Sequence, residues 1–201
     1  MAWITTIPYD EATGPLLELY NRIKGPDDNV DNIMLAHSLR PHTMKGHLAL
    51  YKNVLHHPGN SIQEWFLEAI GVYTSMLNKC SYCVTHHYAG MTRLLNDESR
   101  AFAIRAALES GDLFTAFDAK ETAALDFVRM LTKKPAGVTE NAVQSLRDAG
   151  WDDGEILEIN QVTAYFAYAN RTVLGLGINT EDDIIGLSPG DSSDPNNWQH
   201  E

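Results

Sequence analysis

The only two cysteines of the chain lie in the stretch Cys80-Ser81-Tyr82-Cys83, and His87 follows the second cysteine by four residues. On a helix, residues three apart have Cα atoms about 5 Å from each other, which is within the range that a disulfide spans. Offsets of four and seven residues return to one helix face, so the imidazole of His87 is expected beside both thiols. An imidazole can take the proton of a thiol, and the thiolate attacks oxygen or sulfur electrophiles. The spacing favours redox chemistry in which the second thiol turns the oxidised product into a disulfide.

Three other interpretations of the cysteine pair stay open. Free cysteine packs as a small apolar residue, so a buried and inert pair is one of them. A structural zinc site is a weaker interpretation, because such a site requires four protein ligands and the motif supplies only two thiolates and one or two imidazoles. A purely structural disulfide would close a loop of only two residues and would stabilise the fold little.

The elements around the motif are predicted to be helices. Apolar residues recur at helical spacing, and no alternating strand pattern competes with them. The helical segments cover residues 10–24, 30–39, 42–57, 61–77, 80–95, 97–109, 118–134, 139–149 and 152–174. Ser61 with Glu64 predicts a capping box on the fourth segment, and Asp152 with Glu155 predicts a similar cap on the last. The sequence therefore predicts an all-α, multi-helix bundle.

A break at Asn78 and Lys79 places the cysteines at the N-terminus of the fifth segment. Unpaired N–H groups and the positive end of the helix dipole lower the pKa of a thiol at such a position. The effect acts on Cys80 at least as strongly as on Cys83, so the helix end alone does not decide which sulfur attacks.

Size and charge limit the classes of function. The 201 residues and 22.4 kDa predict one domain over residues 1–186, followed by a polar C-terminal tail at residues 187–201. Fifteen Lys and Arg against 27 Asp and Glu give a net charge of −12, which repels nucleic acid. No apolar run approaches the roughly 20 residues that cross a bilayer, and the N-terminus lacks the pattern of a secretory signal. We expect no nucleic acid partner, no membrane partner and a cytoplasmic location, which agrees with a reducible cysteine pair.

The remaining histidines are predicted to be ordinary residues. His37, His42 and His47 are spaced by five and share no helix face, so they make a poor metal site. His56 and His57 close a helix, where an imidazole interacts favourably with the dipole and needs no further role. Neither a metal nor a cofactor is expected.

Polar and aromatic residues of the last segment are predicted to be structural. Arg171, beside Asn170, interrupts an apolar helix and is expected to be buried against a carboxylate. Tyr165, Phe166 and Tyr168 are expected in the core or at a subunit interface rather than in a substrate pocket.

The motif as a whole resembles a known family. Eleven residues separate Glu68 from Cys80. Together with the CxxC and His87, Glu68 resembles the motif of the redox-active members of the alkylhydroperoxidase D and carboxymuconolactone decarboxylase superfamily, in particular its uncharacterised peroxidase-related branch. Stretches that are similar to the C-terminal half of that family are Glu121-Thr122-Ala123-Ala124-Leu125, Val138-Thr139-Glu140, Leu146-Arg147-Asp148-Ala149-Gly150, Glu155-Ile156-Leu157 and Ala169-Asn170-Arg171. Alkylhydroperoxidase D itself carries a histidine between its cysteines. This chain has Tyr82 there, and a phenol is a poor base at pH 7.

The resemblance implies an all-helical fold, assembly into trimers or hexamers, and reduction of hydroperoxides. It assigns Cys83 as the attacking thiolate that becomes a sulfenic acid, and Cys80 as the thiol that resolves it to a disulfide. It makes His87 the base that takes the proton of Cys83, and Glu68 the carboxylate that holds His87 in a proton relay. An external dithiol of the lipoyl or thioredoxin type is expected to restore the pair.

Other functions remain as alternatives. One is a thiol-disulfide oxidoreductase or redox sensor in which the same cysteines exchange with protein partners. Another is a carboxymuconolactone decarboxylase-like enzyme, which does not need a dithiol. A further one is an oligomerising scaffold in which the cysteines are inert.

Overall fold

The computed structural model describes residues 2–186 of the chain, and within that range it contains α-helices and no β-strand. The helices are α1 (Gly14–Ile23), α2 (Asn32–Leu35), α3 (Pro41–Leu55), α4 (Glu64–Leu77), α5 (Ser81–Leu95), α6 (Glu98–Ser110), α7 (Ala119–Lys133), α8 (Glu140–Asp148) and α9 (Asp153–Leu176). The predicted all-α bundle is confirmed. The predicted polar tail at residues 187–201 lies outside the described residues.

Helix α4 is the centre of the bundle and packs against α3, α5, α6, α7 and α9. Every residue from 66 to 75 is buried, as expected for a helix that is covered on all sides. Gly71 permits the close approach of α9, since a Cβ at this position would lie 2.2 Å from the ring of Phe166. The most deeply buried helix therefore carries Glu68 into the interior.

Several predicted helix boundaries are wrong. The first helix begins at Gly14 rather than residue 10, and the second is shortened to residues 32–35. The capping box of Ser61 and Glu64 does not form, because α4 begins at Glu64. The carboxylate of Glu158 instead accepts hydrogen bonds from the backbone N–H groups of Ser61 and Ile62, at 2.8 and 2.9 Å. The cap of Asp152 with Glu155 on α9 is confirmed.

The predicted environment of Arg171 is also wrong. Its side chain is exposed, and Nη1 donates a hydrogen bond of 2.6 Å to the carbonyl oxygen of Ala167 one turn earlier. The apolar residues of α9 lie on the faces that meet α3, α4 and α7, so Arg171 occupies a solvent-facing position.

The segment that follows α9 folds back over α2. Asp183 accepts a hydrogen bond from the backbone N–H of Asn32 at 2.9 Å, and the amide of Asn32 donates to the carbonyl oxygens of Asn179 and Glu181. This segment and α2 together cover one side of α5. Within residues 2–186, no helix has both the length and the apolar character needed to cross a bilayer.

Candidate functional site

The two cysteines lie at the turn between α4 and α5. Lys79 adopts a left-handed conformation with φ of 60°, which reverses the chain. The backbone N–H of Cys80 donates to the carbonyl oxygen of Ser75 at 2.9 Å, and Cys80 is the N-cap of α5. The predicted break before the motif is confirmed. The two Sγ atoms lie 3.2 Å apart as free thiols, with exposures of 0% for Cys80 and 2% for Cys83.

The pKa values of the two thiols are shifted in opposite directions. The hydrogen bond from Cys83 lowers the pKa of Cys80, and a further hydrogen bond to the side chain of Asn170 acts in the same direction. The pKa of Cys83 is raised well above its ordinary value, because its proton is held by the hydrogen bond to Cys80 and because burial disfavours its charged form. The pair therefore loses its first proton from Cys80, and the second ionisation is strongly disfavoured.

Asn170 is a contact of the cysteine pair that the sequence analysis did not find. Its amide nitrogen donates to Oγ of Ser75 at 3.0 Å, and its oxygen accepts from the amide of Asn78 at 2.9 Å. This network ties α9 to the end of α4, which holds the turn before Cys80 in place. The sequence feature that could have indicated this contact is a polar residue, Asn170, at the end of an apolar and aromatic stretch of α9.

His87 and Glu68 form a buried pair beside the cysteines. Nδ1 of His87 lies 2.7 Å from Oε2 of Glu68, whose side chain is fully buried. The ring of Phe166 packs edge-on against the imidazole with centroids 4.5 Å apart. The carboxylate and the phenyl ring thus fix the orientation of His87.

The second oxygen of Glu68 faces another imidazole. Oε1 of Glu68 lies 3.7 Å from Nε2 of His56, and neither atom has a hydrogen-bond partner among the described residues. Nδ1 of His56 is hydrogen-bonded to Oε1 of Glu64, whose side chain is 37% exposed. The buried carboxylate therefore lies between two histidines, one of which reaches a surface carboxylate.

Cys83 and His87 open on a common cavity of about 50 Å³. Its walls come from α2, α3, α5 and α9, and its other lining residues are Asp31, Ile33, Met34, His47, Leu48, Tyr51, Tyr82, His86, Tyr165 and Ala169. Cys80 lines a separate cavity of about 280 Å³ together with Lys79, Ser81 and Arg105. The two residues of the pair thus line different cavities, although their sulfurs are in contact.

Polar groups of the smaller cavity are affected by burial. Burial raises the pKa of Asp31 to about 6 and lowers the pKa of His47 to about 3, so His47 is a neutral imidazole near pH 7. Nε2 of His47 lies 3.4 Å from the hydroxyl of Tyr165. The prediction that His47 is an ordinary residue is wrong, whereas Tyr165 lies in the core as predicted and also lines this cavity. The packing of α3 on α9 brings both residues to the cavity that Cys83 lines.

Tyr82 and His86 contact α2 and the segment after α9, which lie over the cavity. The hydroxyl of Tyr82 accepts a hydrogen bond of 3.2 Å from the backbone N–H of Ile33. Nε2 of His86 lies 3.2 Å from Oδ2 of Asp183, and its ring packs on Tyr82 with centroids 4.6 Å apart. Tyr82, one of the two residues between the cysteines, therefore anchors α2 over the site. Across residues 2–186, no group of three or more His, Cys, Asp or Glu side chains is arranged to hold a metal ion.

The four residues predicted to act together, Cys80, Cys83, His87 and Glu68, are brought to one place. The sulfurs are in contact, the imidazole and carboxylate are hydrogen-bonded, and Cys83 and His87 share a cavity. The groups needed to take a proton from a thiol, an imidazole held by a buried carboxylate, thus line the same cavity as one thiol and lie next to a second.

The sequence matches no family model and no curated protein. Solved structures are similar to it in fold. An uncharacterised peroxidase-related protein with an alkylhydroperoxidase D core from Ralstonia eutropha JMP134 aligns with a TM-score of 0.75 and 22% identity, over 90% of this chain and 93% of that one. An uncharacterised peroxidase-related protein from Silicibacter sp. TM1040 aligns with a TM-score of 0.72 and 23% identity, over 89% and 90% of the two chains.

The debrominase Bmp8, solved as a cysteine-to-alanine variant in complex with 2,3,4-tribromopyrrole, aligns with a TM-score of 0.64 and 18% identity, over 84% of each chain. At these identities the likeness concerns the fold. It confirms the fold that the motif predicted: the chain has the helical fold of the alkylhydroperoxidase D core and the peroxidase-related proteins.

Proposed function

We propose that this chain is a thiol peroxidase that reduces hydroperoxides through the pair Cys80 and Cys83. The observation that carries the proposal is the sidedness of the site. Cys83 and His87 share one cavity, whereas the Cys80 sulfur lies 3.2 Å from the Cys83 sulfur and Cys80 lines a second cavity. In this proposal the Cys83 sulfur reacts with the oxidant, and the Cys80 sulfur then attacks the oxidised Cys83 to form the disulfide.

The first step is attack of the Cys83 sulfur on the terminal peroxide oxygen. An S–O bond forms and the O–O bond breaks, so that the sulfur is oxidised to a sulfenic acid and the peroxide is reduced. The proton that His87 took from the thiol pair passes to the departing oxygen, which leaves as an alcohol or as water. Glu68 holds the ring of His87 and stabilises its charged form during this transfer.

The second step closes the disulfide. The Cys80 sulfur attacks the sulfur of the sulfenic acid, an S–S bond forms, and the S–O bond breaks. The hydroxyl of the sulfenic acid takes the proton of Cys80 and leaves as water. The 3.2 Å separation of the sulfurs means that little movement is needed.

The acidities of the thiols fit this order of events. Cys80 ionises first, yet it does not line the cavity in which we place the peroxide. Transfer of the Cys83 proton to the Cys80 thiolate across the 3.2 Å contact creates the nucleophile on the cavity side. A nucleophile of higher pKa is also intrinsically more reactive once it is deprotonated.

The size of the cavity limits the substrate. About 50 Å³ admits roughly one or two water-sized groups, whereas a cavity of roughly 150 Å³ is needed to hold a benzene ring. In this proposal the peroxide end of a hydroperoxide occupies this space, and an aromatic ring would have to lie at least partly outside it. The volume therefore favours peroxide reduction over a reaction on a halogenated ring such as the ligand of the debrominase neighbour.

A dithiol of the lipoyl or thioredoxin type completes the cycle in this proposal. The cavity that Cys80 lines is the larger one and includes Lys79 and Arg105, so we place the access of the reductant on this side of the pair, although the thiol itself is buried. The same access supports the alternative, a thiol-disulfide oxidoreductase that exchanges with protein partners. Assembly into trimers or hexamers and a cytoplasmic location remain predictions.

Rapid mixing of the reduced protein with peroxides tests the proposal. We expect hydrogen peroxide to convert two free thiols into one disulfide, and we expect cumene hydroperoxide to react more slowly because its ring cannot enter. The control is the Cys80→Ser and Cys83→Ser double variant, which should not consume peroxide. A reduced protein that exchanges with protein disulfides but is inert to every peroxide would support the oxidoreductase instead.

A further inference from the structure

Glu68 is a fully buried carboxyl group with a histidine at each of its oxygens. His87 meets Oε2 at 2.7 Å, and His56 meets Oε1 at 3.7 Å. The first contact is a hydrogen bond that belongs to the proposed relay. The second is longer, but within the described residues both of its atoms, Oε1 of Glu68 and Nε2 of His56, are buried without a hydrogen-bond partner. Closing this gap by less than an ångström would satisfy two buried polar atoms at once.

His56 is held at its other nitrogen by a residue at the surface. Its Nδ1 is hydrogen-bonded to Glu64, which begins α4 and is 37% exposed, whereas the side chain of His56 is only 7% exposed. The ring of Tyr51 packs edge-on against His56 with centroids 4.7 Å apart, and it also lies 6.3 Å from the ring of His87. The imidazole is thereby fixed between solvent and the buried carboxyl group.

We propose that His56 and Glu64 extend the relay to the protein surface and deliver protons to the buried thiol site. The path runs from solvent to Glu64, then through His56, Glu68 and His87 to Cys83. Each imidazole accepts a proton at one ring nitrogen and releases the proton of the other. This inference rests on the proposed function, because it assigns the path to one half of that catalytic cycle.

Only the reductive half of the cycle needs such a path. During oxidation the thiol protons leave with the alcohol and with water, so no proton has to enter. During reduction an external dithiol attacks Cys80 as its thiolate, a mixed disulfide forms, and Cys83 leaves as a thiolate. The second thiol of the reductant then releases Cys80 and completes the transfer of two electrons. The two protons that the dithiol loses to solvent must be replaced on the protein, and one of them must reach buried Cys83.

Separate measurement of the two half-reactions tests this assignment. The full-length protein is oxidised with diamide, which forms the disulfide without peroxide, and its reduction by dithiothreitol is followed by quenching and thiol alkylation. His56→Gln keeps a polar side chain but cannot pass a proton between two nitrogens. We expect it to slow reduction by at least about tenfold and to leave single-turnover oxidation by hydrogen peroxide unchanged.

The matched control is His57→Gln. The exposed ring of this neighbouring histidine accepts a hydrogen bond from the backbone N–H of Gly59 and lies outside the cluster, so both half-reactions should proceed as in the wild type. Free imidazole should restore the reduction rate of His56→Ala, which a merely structural role would not allow. If His56→Gln fails to fold, Glu64→Gln carries the same expectation.

Two results would overturn the inference. One is an unchanged reduction rate in both His56→Gln and Glu64→Gln. The other is an equal slowing of oxidation and reduction, which would indicate that His56 only supports the geometry of the site. Because diamide supplies the disulfide, the reduction assay remains valid even if peroxide fails to oxidise the wild type, so the proposed function and this inference fail separately.

Discussion

The two sulfurs of the pair occupy one turn of helix and have opposite surroundings. Cys83 faces a cavity of about 50 Å³ with His87, and its pKa is raised by the hydrogen bond to Cys80 and by burial. Cys80 caps the helix, lines a cavity of about 280 Å³ with Lys79 and Arg105, and has a lowered pKa. The thiol that ionises first is therefore not the thiol that shares a cavity with the base. The lowered pKa and the cavity shared with His87 thus belong to different residues of the pair, and in the proposed mechanism the oxidant and the reductant approach from different sides.

Single cysteine variants give the largest expected effect and can break this comparison. Cys83→Ser should abolish consumption of hydrogen peroxide, because the remaining thiol, Cys80, does not line the cavity that Cys83 and His87 share. Cys80→Ser should still react once and should stop at a sulfenic acid on Cys83, which a sulfenic-acid-specific reagent followed by mass spectrometry detects. The reverse pattern, with the sulfenic acid on Cys80, would mean that acidity rather than access selects the nucleophile.

Removal of the buried carboxylate has the next largest expected effect. Glu68→Gln keeps a hydrogen-bonding group beside His87 but loses the negative charge that stabilises the protonated ring. We expect oxidation by hydrogen peroxide to slow by about a hundredfold, measured in single turnover. Glu18→Gln, at an exposed position of α1, is the control and should react at the wild-type rate. An unchanged rate in Glu68→Gln would remove this carboxylate from the relay.

The contact of α4 with α5 and the four site residues could be predicted from the sequence, because the residues that determine them are close together in the chain. The helical period of the apolar residues indicates α4 and α5, and the cysteines, His87 and Glu68 are within twenty positions of each other. Two adjacent helices joined by a short turn have few ways to pack, so these side chains meet. The capping box at Ser61 failed for the opposite reason. Its N–H groups are satisfied by Glu158, a partner that is distant in the sequence.

The wall of the smaller cavity could not be predicted because it is assembled from distant segments. Asp31, His47 and Tyr165 belong to the segment before α2, to α3 and to α9, and each looks ordinary within its own segment. His47 is polar on a helix that otherwise buries apolar residues, and its burial becomes evident only once α9 covers it. His56 is similar, because its contact with Glu68 depends on how the end of α3 meets α4.

The packing behind His87 is expected to influence stability. In Gly71→Ala the new Cβ would lie 2.2 Å from the ring of Phe166, which packs edge-on against His87. We expect the free energy of unfolding in urea to fall by about 1–3 kcal/mol because the ring must shift. Gly46→Ala, at an exposed position of α3 where a Cβ meets no atom within 4 Å, should instead stabilise by about 0.5–1 kcal/mol. Equal effects of both substitutions would contradict the close approach of α9.

Asp31 gives the smallest expected effect, and it concerns the Cys83 side of the pair. Burial raises its pKa from 3.8 to about 6, with the nearby Asp183 carboxylate acting in the same direction and His86 opposing it. Between these pH values the folded protein binds more protons than the unfolded chain, so the free energy of unfolding falls as the pH rises. Asp31→Asn does not titrate and should be more stable than the wild type by roughly 1–2 kcal/mol at pH 7.

The pH dependence distinguishes burial of Asp31 from an unrelated stabilisation. Urea unfolding of both proteins should show the advantage of Asp31→Asn at pH 7 shrinking as the pH falls from 6 toward 4. The wild-type carboxyl group is then protonated in the folded state, and the unfolded chain takes up its proton as the pH approaches 3.8. Asp112→Asn, at an exposed position, should show no such trend. An advantage that stays constant across this range would mean that the carboxyl group of Asp31 is accessible to water, and the Cys83 side of the pair would then be as open as the Cys80 side.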